Sequence, residues 1–254
     1  MKRIFFLVIF AVFAFGITAS AQEVKVPFLL YHSVADFIAD GDDELLHITK
    51  DNFADHMAAL KAAGYTSITI DEFVRFAEGE LELPEKPLVI CFDDGYENNY
   101  TNAYPILKEN GMKATIFVIA QRVGDHTVKY PHFTWQQAKE MEDSGVIEIE
   151  SHSLTHPDFS TIGYAETVRQ MRLSKYLIEK NLGKTCDYMA YPYGFTNAFS
   201  ADVAKKAGYK LTCLVGNDGA NGKGADLYSI KRLNVSAYMT SEYLMEYISE
   251  NITR

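Results

Sequence analysis

Leu88-Val-Ile-Cys-Phe-Asp93-Asp94-Gly95 is the stretch on which the fold turns: an uncharged, strand-favouring run meets two adjacent carboxylates and a glycine. A short continuous apolar run rich in β-branched and aromatic residues reads as a strand buried on both faces. Polar residues stand just after three other apolar runs. His32 follows residues 26–31, Ser151-His152 follows 146–150, and Tyr191-Pro192 ends 188–191. Further strands are expected at 66–70, 114–119, 210–215 and 229–235. Helical patterns fill the gaps at 51–63, 71–78, 98–110, 135–143, 164–181, 198–207 and 241–251. Gly64, Gly111, Gly145, Gly183 and Gly208 each follow a helical pattern, where a left-handed cap favours glycine. Thr134 with Gln137 three residues on makes a capping box for the fourth helix.

Strands alternating with helices imply a parallel sheet, either closed or open. An open sheet gathers its chemistry at one switch point. A barrel collects it from the C-terminal ends of several strands. Four separated strand ends carrying polar residues therefore favour an α/β fold with a parallel (β/α) barrel. The chain has 254 residues, 48% apolar and 13% aromatic, with no repeat or composition shift, which suits one domain around one core.

The first residues do not belong to that domain. Met1-Lys-Arg3, an apolar run over 4–17 and Ala19-Ser-Ala21 form a cleavable signal peptide over 1–21, leaving 22–254 as the mature domain. The run is shorter than the ~20 residues that span a bilayer, and no cysteine stands near the cleavage point. The expectation is export, to the periplasm or the outside, with no stable membrane anchor. The net charge of −10 becomes more acidic once Lys2 and Arg3 are removed. That argues against nucleic acid, whose phosphates need clustered Lys and Arg, and suits a neutral or cationic glycan. Cys91, inside an apolar run, reads as a buried thiol; Cys186 and Cys213 could pair, at a distance the sequence does not give.

Two carboxylates side by side at a strand end resist joint ionisation, a cost that a bound cation relieves. Side chains alternate along a strand, so Asp93 and Asp94 diverge unless the chain turns, and Gly95 allows the turn. An Asp-Asp-Gly triplet also forms solvated turns and helix caps. The second signal is Glu150-Ser-His152-Ser-Leu-Thr-His156-Pro157. Two imidazoles four residues apart can face one metal, and Ser153 or Thr155 could fix their tautomers. Isolated pairs at this spacing are common on surfaces, but this one follows an apolar strand and ends at a proline. Asp94, His152 and His156 make three ligands and leave a position for water, as catalytic sites do. Asp93 is then a candidate general base. His32 is a candidate acid for a departing amine, or a buried structural histidine.

These segments resemble three motifs of the polysaccharide deacetylases, the nodulation-type carbohydrate esterases of family four. They are Cys91-Phe-Asp93-Asp94-Gly95-Tyr96, Ser151-His152-Ser-Leu-Thr-His156-Pro157 and Ala190-Tyr-Pro192-Tyr193-Gly194. The likeness continues through Asn99-Tyr…Tyr104-Pro-Ile-Leu and Gly111-Met-Lys-Ala-Thr-Ile-Phe-Val118. It implies a deformed barrel of about seven strands and a divalent metal, zinc with cobalt or nickel as alternatives. The implied site has Asp93 as base, Asp94, His152 and His156 as ligands, and the Tyr193 N–H at the oxyanion. The substrate implied is an acetylated amino-sugar polymer: poly-N-acetylglucosamine, peptidoglycan or a chitin-like glycan.

Two departures stand out. Most members carry an arginine where this chain has Ala190, and a histidine in a C-terminal Leu-x-His motif that residues 229–235 lack. Leu29-Leu-Tyr31-His32-Ser-Val34 instead resembles the branch of the biofilm poly-N-acetylglucosamine deacetylases. That branch carries its acid segment at the N-terminus, which favours His32 as the acid, with Arg232 a candidate for the missing charge beside Asp93.

Tyr96, Tyr193 and Phe195 are candidate sugar platforms or core aromatics. His47, His56, His126 and His132 read as solvated or structural, Trp135 as packing, and the stretch 216–224 as a mobile loop that could border the cleft. Two other functions fit the same residues: the same chemistry on an O-acetyl glycan or small amide, and a glycan-binding barrel without activity.

Overall fold

A computed structural model describes residues 24–216 and 220–252; the signal peptide expected over 1–21 lies outside them. The chain runs β1 (Phe28–Tyr31), β2 (Ser33–Ala35), β3 (His47–Thr49), α1 (Lys50–Ala62), β4 (Thr66–Ser67), α2 (Ile70–Ala77) and β5 (Pro87–Phe92). A π-helical turn (Asn99–Ala103) leads into α3 (Tyr104–Asn110), followed by β6 (Ala114–Val118), α4 (Trp135–Asp143), β7 (Ile147–Ser151) and α5 (Tyr164–Leu182). β8 (Tyr188–Ala190), a 3₁₀ turn (Pro192–Gly194), α6 (Ser200–Ala207), β9 (Leu211–Cys213), β10 (Leu233–Asn234) and α7 (Ser241–Ile252) complete it.

Seven strands pair in parallel in the order β10-β1-β5-β6-β7-β8-β9. The two ends of this order meet through the run-in to β10. Ile230 bridges Cys213 in parallel, the Leu214 N–H donates to the Ile230 carbonyl at 2.8 Å, and the Gly216 N–H donates to the Arg232 carbonyl at 3.3 Å. A short strand pair, not a full ladder, joins the edges, so the barrel is deformed, as expected.

Alternation along each strand sorts the side chains into two layers. Leu88, Ile90 and Phe92 of β5 pack outward with Ile116, Val118 and the helices, whereas Val89 and Cys91 pack with Phe28, Phe117 and Cys213 inside the barrel. Asp93 continues the inward series past the end of the strand. Cys186 belongs to the outer layer and Cys213 to the inner one, and all three thiols are free and buried.

Several elements differ from the sequence reading. The strand expected over 66–70 stops at Ser67, because Thr69 caps α2 through a reciprocal pair with Glu72 and draws Ile70 into the helix. The Thr134–Gln137 box does form. The small ladder of β2 with β3 was not expected; it pairs Ser33 with His47 and Ala35 with Thr49. In the glycine-rich stretch, residues 217–219 are outside the described ones. Asn221 exchanges both backbone hydrogen bonds with Val26, at 2.8 and 3.0 Å, so that part lies at the N-terminal side of the barrel, away from the cleft. Among the described residues no helix is long and apolar enough to cross a membrane.

Candidate active site

The C-terminal strand ends enclose a cleft of about 530 Å³, lined by His32, Asp93, Asp94, His152, His156 and Tyr193 among others. Asp93 follows β5 in the inward register and meets Arg232, which enters from the run-in to β10. The two guanidinium nitrogens Nη1 and Nη2 donate to Oδ1 and Oδ2 at 2.6 and 2.7 Å, and Nε donates to the Leu214 carbonyl at 2.9 Å. Arg232 is wholly buried and lies over the Phe117 ring. Burial alone would raise the Asp93 carboxyl; the Arg232 charge and its bidentate bond outweigh that and hold it well below the usual range. Arg232 thus stands where the sequence reading looked for a charge to replace the one missing at Ala190.

Asp94 turns away from its neighbour by taking a left-handed conformation, φ 71°, followed by Gly95 at φ 82°. A Cβ on Gly95 would come within 2.9 Å of Val118 Cγ1, so the turn needs glycine for space as well as for angle. The turn points the Asp94 carboxylate at two imidazoles, with Oδ1 3.6 Å from His152 Nε2 and 3.4 Å from His156 Nε2. The candidate ligand atoms of Asp94, His152 and His156 lie within 4.8 Å of one another.

The histidine segment is held from α5. Gln170 Oε1 accepts the N–H groups of Leu154 and Thr155 at 3.0 and 2.9 Å, while its Nε2 donates to Thr155 Oγ1 at 2.7 Å. Ser153 Oγ accepts the His156 N–H at 3.0 Å. These hydroxyls therefore brace the backbone. The His152 tautomer is set by a different group, the Ala190 carbonyl, 2.8 Å from Nδ1. A carbonyl can only accept, so Nδ1 carries the proton and the Nε2 lone pair faces Asp94.

Four non-glycine residues have positive φ among the described residues: Asp94, Ser153, His156 and Tyr193, at 71°, 69°, 63° and 59°. All four belong to the three strand-end turns that form the cleft. Such conformations are held by surrounding structure and gather at functional sites. At the third turn Gly194, φ 73°, lies against the Val215 backbone so closely that a Cβ would overlap its nitrogen.

His32 lines the cleft just after β1; its main-chain carbonyl accepts from Asn99 Nδ2 at 2.7 Å, and its Nδ1 is buried without a partner. Burial lowers its pKa, against the pull of Asp94 and Asp93. Burial likewise lowers His156 to about 4. The Tyr193 ring packs edge-on to His156 at 4.7 Å, stacks beside Phe195 at 6.4 Å, and is 57% exposed. Tyr96 also lines the cleft, its ring stacked on His132 at 5.3 Å; burial and the Asp94 charge raise its phenol.

The structure thus brings together every site residue named from the sequence. Arg122, Asp43 and Leu45, among the residues that the sequence reading passed over, also line the cleft, as does His132, which it took for a solvated or structural histidine. Of the histidines read as solvated or structural, only His126 is exposed. His47, His56 and His132 are buried, and His56 is held between the Tyr31 hydroxyl and the Met239 carbonyl.

A polysaccharide deacetylase family model matches residues 80–212, which include all three strand-end turns. The Bacillus subtilis (strain 168) protein YxkH is 34% identical over 227 residues, covering 89% of this chain and 77% of that one. A Staphylococcus aureus (strain MSSA476) poly-β-1,6-N-acetyl-D-glucosamine N-deacetylase is 31% identical over 175 residues, 64% of this chain and 59% of that one. The Streptococcus pyogenes deacetylase PplD, solved with acetate, superposes with a TM-score of 0.80 at 27% identity, covering 89% of this chain and 98% of its own. With the match running through the turns that build the cleft, the chain belongs to the polysaccharide deacetylase family.

Proposed function

We propose that this chain is an exported, metal-dependent hydrolase that removes N-acetyl groups from an amino-sugar polymer, with poly-β-1,6-N-acetylglucosamine the first candidate. The observation that carries the metal reading is Asp94 Oδ1. It is buried without a hydrogen-bond partner, yet two imidazole nitrogens face it at 3.4 and 3.6 Å. An unpartnered buried carboxylate oxygen is costly, and a cation shared with His152 and His156 removes that cost. Two nitrogens and a carboxylate suit zinc, with cobalt and nickel as neighbours. Held there, the ion would supply an acidified water and a Lewis acid for the acetyl carbonyl.

The remaining chemistry falls to the chain's own residues. Asp93, kept ionised and aimed by Arg232, accepts the proton of the attacking water at a carboxylate oxygen. The Tyr193 N–H, presented by the left-handed turn, donates to the developing oxyanion. His32 gives its proton to the departing nitrogen. The exposed Tyr193 and Phe195 rings offer faces to a sugar on the outer side of the cleft. The Staphylococcus aureus relative, named for its action on poly-β-1,6-N-acetyl-D-glucosamine, supports the choice of polymer. The basic–apolar leader supports export.

Acetate release from poly-β-1,6-N-acetylglucosamine, chitin oligomers, peptidoglycan and O-acetyl xylan tests this assignment. The expected result is release from an N-acetylated polymer by the zinc-loaded chain, abolished in Asp93→Asn although that variant still binds zinc. Full activity of Asp93→Asn would remove the base assignment. Release from O-acetyl xylan alone would replace the substrate class.

A further inference from the structure

His132 has no part in the chemistry above, yet it is 1% exposed and lies against the metal-site turn at the edge of the cleft. Its segment is laced to that turn along the backbone. The Glu97 N–H donates to the Pro131 carbonyl at 2.7 Å, the Phe133 N–H donates to the Gly95 carbonyl at 3.3 Å, and Tyr96 and His132 form an antiparallel bridge. The His132 N–H is itself fixed by the Asp125 carbonyl at 3.1 Å. The ring therefore has little freedom to move away.

Its Nδ1 lies 3.1 Å from the main-chain carbonyl of Asp94. Because a carbonyl only accepts, Nδ1 must carry the hydrogen and donate it. The residue whose carbonyl is caught in this way is in the left-handed region, where an aspartate stays only under outside constraint. The same imidazole stacks on Tyr96 at 5.3 Å, with an interplanar angle of 29°. One buried ring thus holds the Asp94 backbone and packs against Tyr96, two residues further along the same turn.

We propose that His132 is a positioning residue for the metal site: by donating Nδ1–H to the Asp94 carbonyl it locks the turn that presents Asp94 to His152 and His156. This rests on the metal reading given above. Groups that orient ligands from behind typically change metal affinity by about 10–100-fold when removed. If His132 served only to fill space, a ring of similar shape without a donor would do as well.

The test compares His132→Phe, which keeps an aromatic ring against Tyr96 but has no donor, with His132→Asn, whose side-chain amide places an N–H near the Nδ1 position. Zinc affinity is measured by competition with a chromogenic chelator, and thermal unfolding is measured on the metal-free protein. The expected result is a loss of about 10–100-fold in zinc affinity for His132→Phe, near-wild-type affinity for His132→Asn, and similar metal-free unfolding temperatures for all three. Wild-type affinity in His132→Phe overturns the proposal. So do equal losses in both variants that track a fall in metal-free stability. If His132→Phe does not fold, His132→Gln takes its place, since its longer amide reaches the Nε2 position; equal affinities for the Gln and Asn variants then overturn the proposal. A wild-type chain that takes up no zinc defeats the metal reading itself, before any variant is compared.

Discussion

Replacing Arg232 with methionine should be among the most damaging single changes outside the proposed metal ligands. The side chain is wholly buried and gives both terminal nitrogens to Asp93, at 2.6 and 2.7 Å. Methionine keeps much of the volume but leaves the Asp93 carboxylate buried opposite no charge. Removing one partner of a buried pair costs about 3–5 kcal/mol. At about 2–4 °C per kcal/mol for a chain of this size, the melting temperature should fall by roughly 6–20 °C. The loss should depend on pH. With Arg232 present the Asp93 carboxyl is held low, so its stabilising contribution is full above the unfolded value of about 4 and fades only as pH falls through the lower folded value. Without Arg232, burial acts with much less opposition and the folded value rises. The deficit of Arg232→Met should therefore be largest at pH 7.5 and shrink toward pH 5, as Asp93 takes up a proton. Urea unfolding of chelator-treated protein at the two pH values measures this. Adding Asp93→Asn to Arg232→Met should recover most of the loss. A deficit equal at both pH values, or no recovery in the double variant, would mean that the unpaired Asp93 carboxylate is not the source of the loss.

Two further changes separate site geometry from general stability. Gly194→Ala puts a methyl group into the Val215 backbone at a position with φ 73°; it should lower acetate release and cost at least about 1–2 kcal/mol in urea unfolding, from the left-handed strain alone. Glu148, beside Thr115, is pushed up by burial to about 7. A folded value above the unfolded one means that Glu148 destabilises the chain increasingly as pH rises from about 4.5 to 7. Glu148→Gln should thus be more stable than wild type at pH 8 and no more stable at pH 4.5, as read by thermal unfolding at each pH.

The gathering of the site residues at the strand ends was legible because each piece is local. A buried strand, a carboxylate pair and a glycine stand within eight residues at 88–95, and the two histidines lie within one turn of chain. The barrel was legible from polar residues at several strand ends. Its closure was not: of the strand expected over 229–235 only Leu233–Asn234 forms β10, and the seam is a single bridge at Ile230 with one further hydrogen bond at Arg232, a pairing that no residue pattern specifies. Arg232 was named only as a substitute for an absent charge; its bidentate grip on Asp93 joins positions 139 apart in the chain. His132 was unreadable for a similar reason. It lies 38 residues beyond Asp94, and a lone histidine before a capping box has nothing in its sequence to say that its ring meets the Asp94 carbonyl. The β2–β3 ladder brings the loop bearing Asp43 and Leu45 to the cleft, and strands of three residues fall below the length at which alternation can be recognised.

The most direct test of the proposed metal dependence is a zinc titration of the chelator-stripped chain, following acetate release from poly-β-1,6-N-acetylglucosamine oligomers. The expected result is no release from the stripped protein, a linear return of activity with added zinc that breaks at one equivalent per chain, and no such return in His152→Gln. Full release by the stripped protein, or an unchanged titration in His152→Gln, would contradict it.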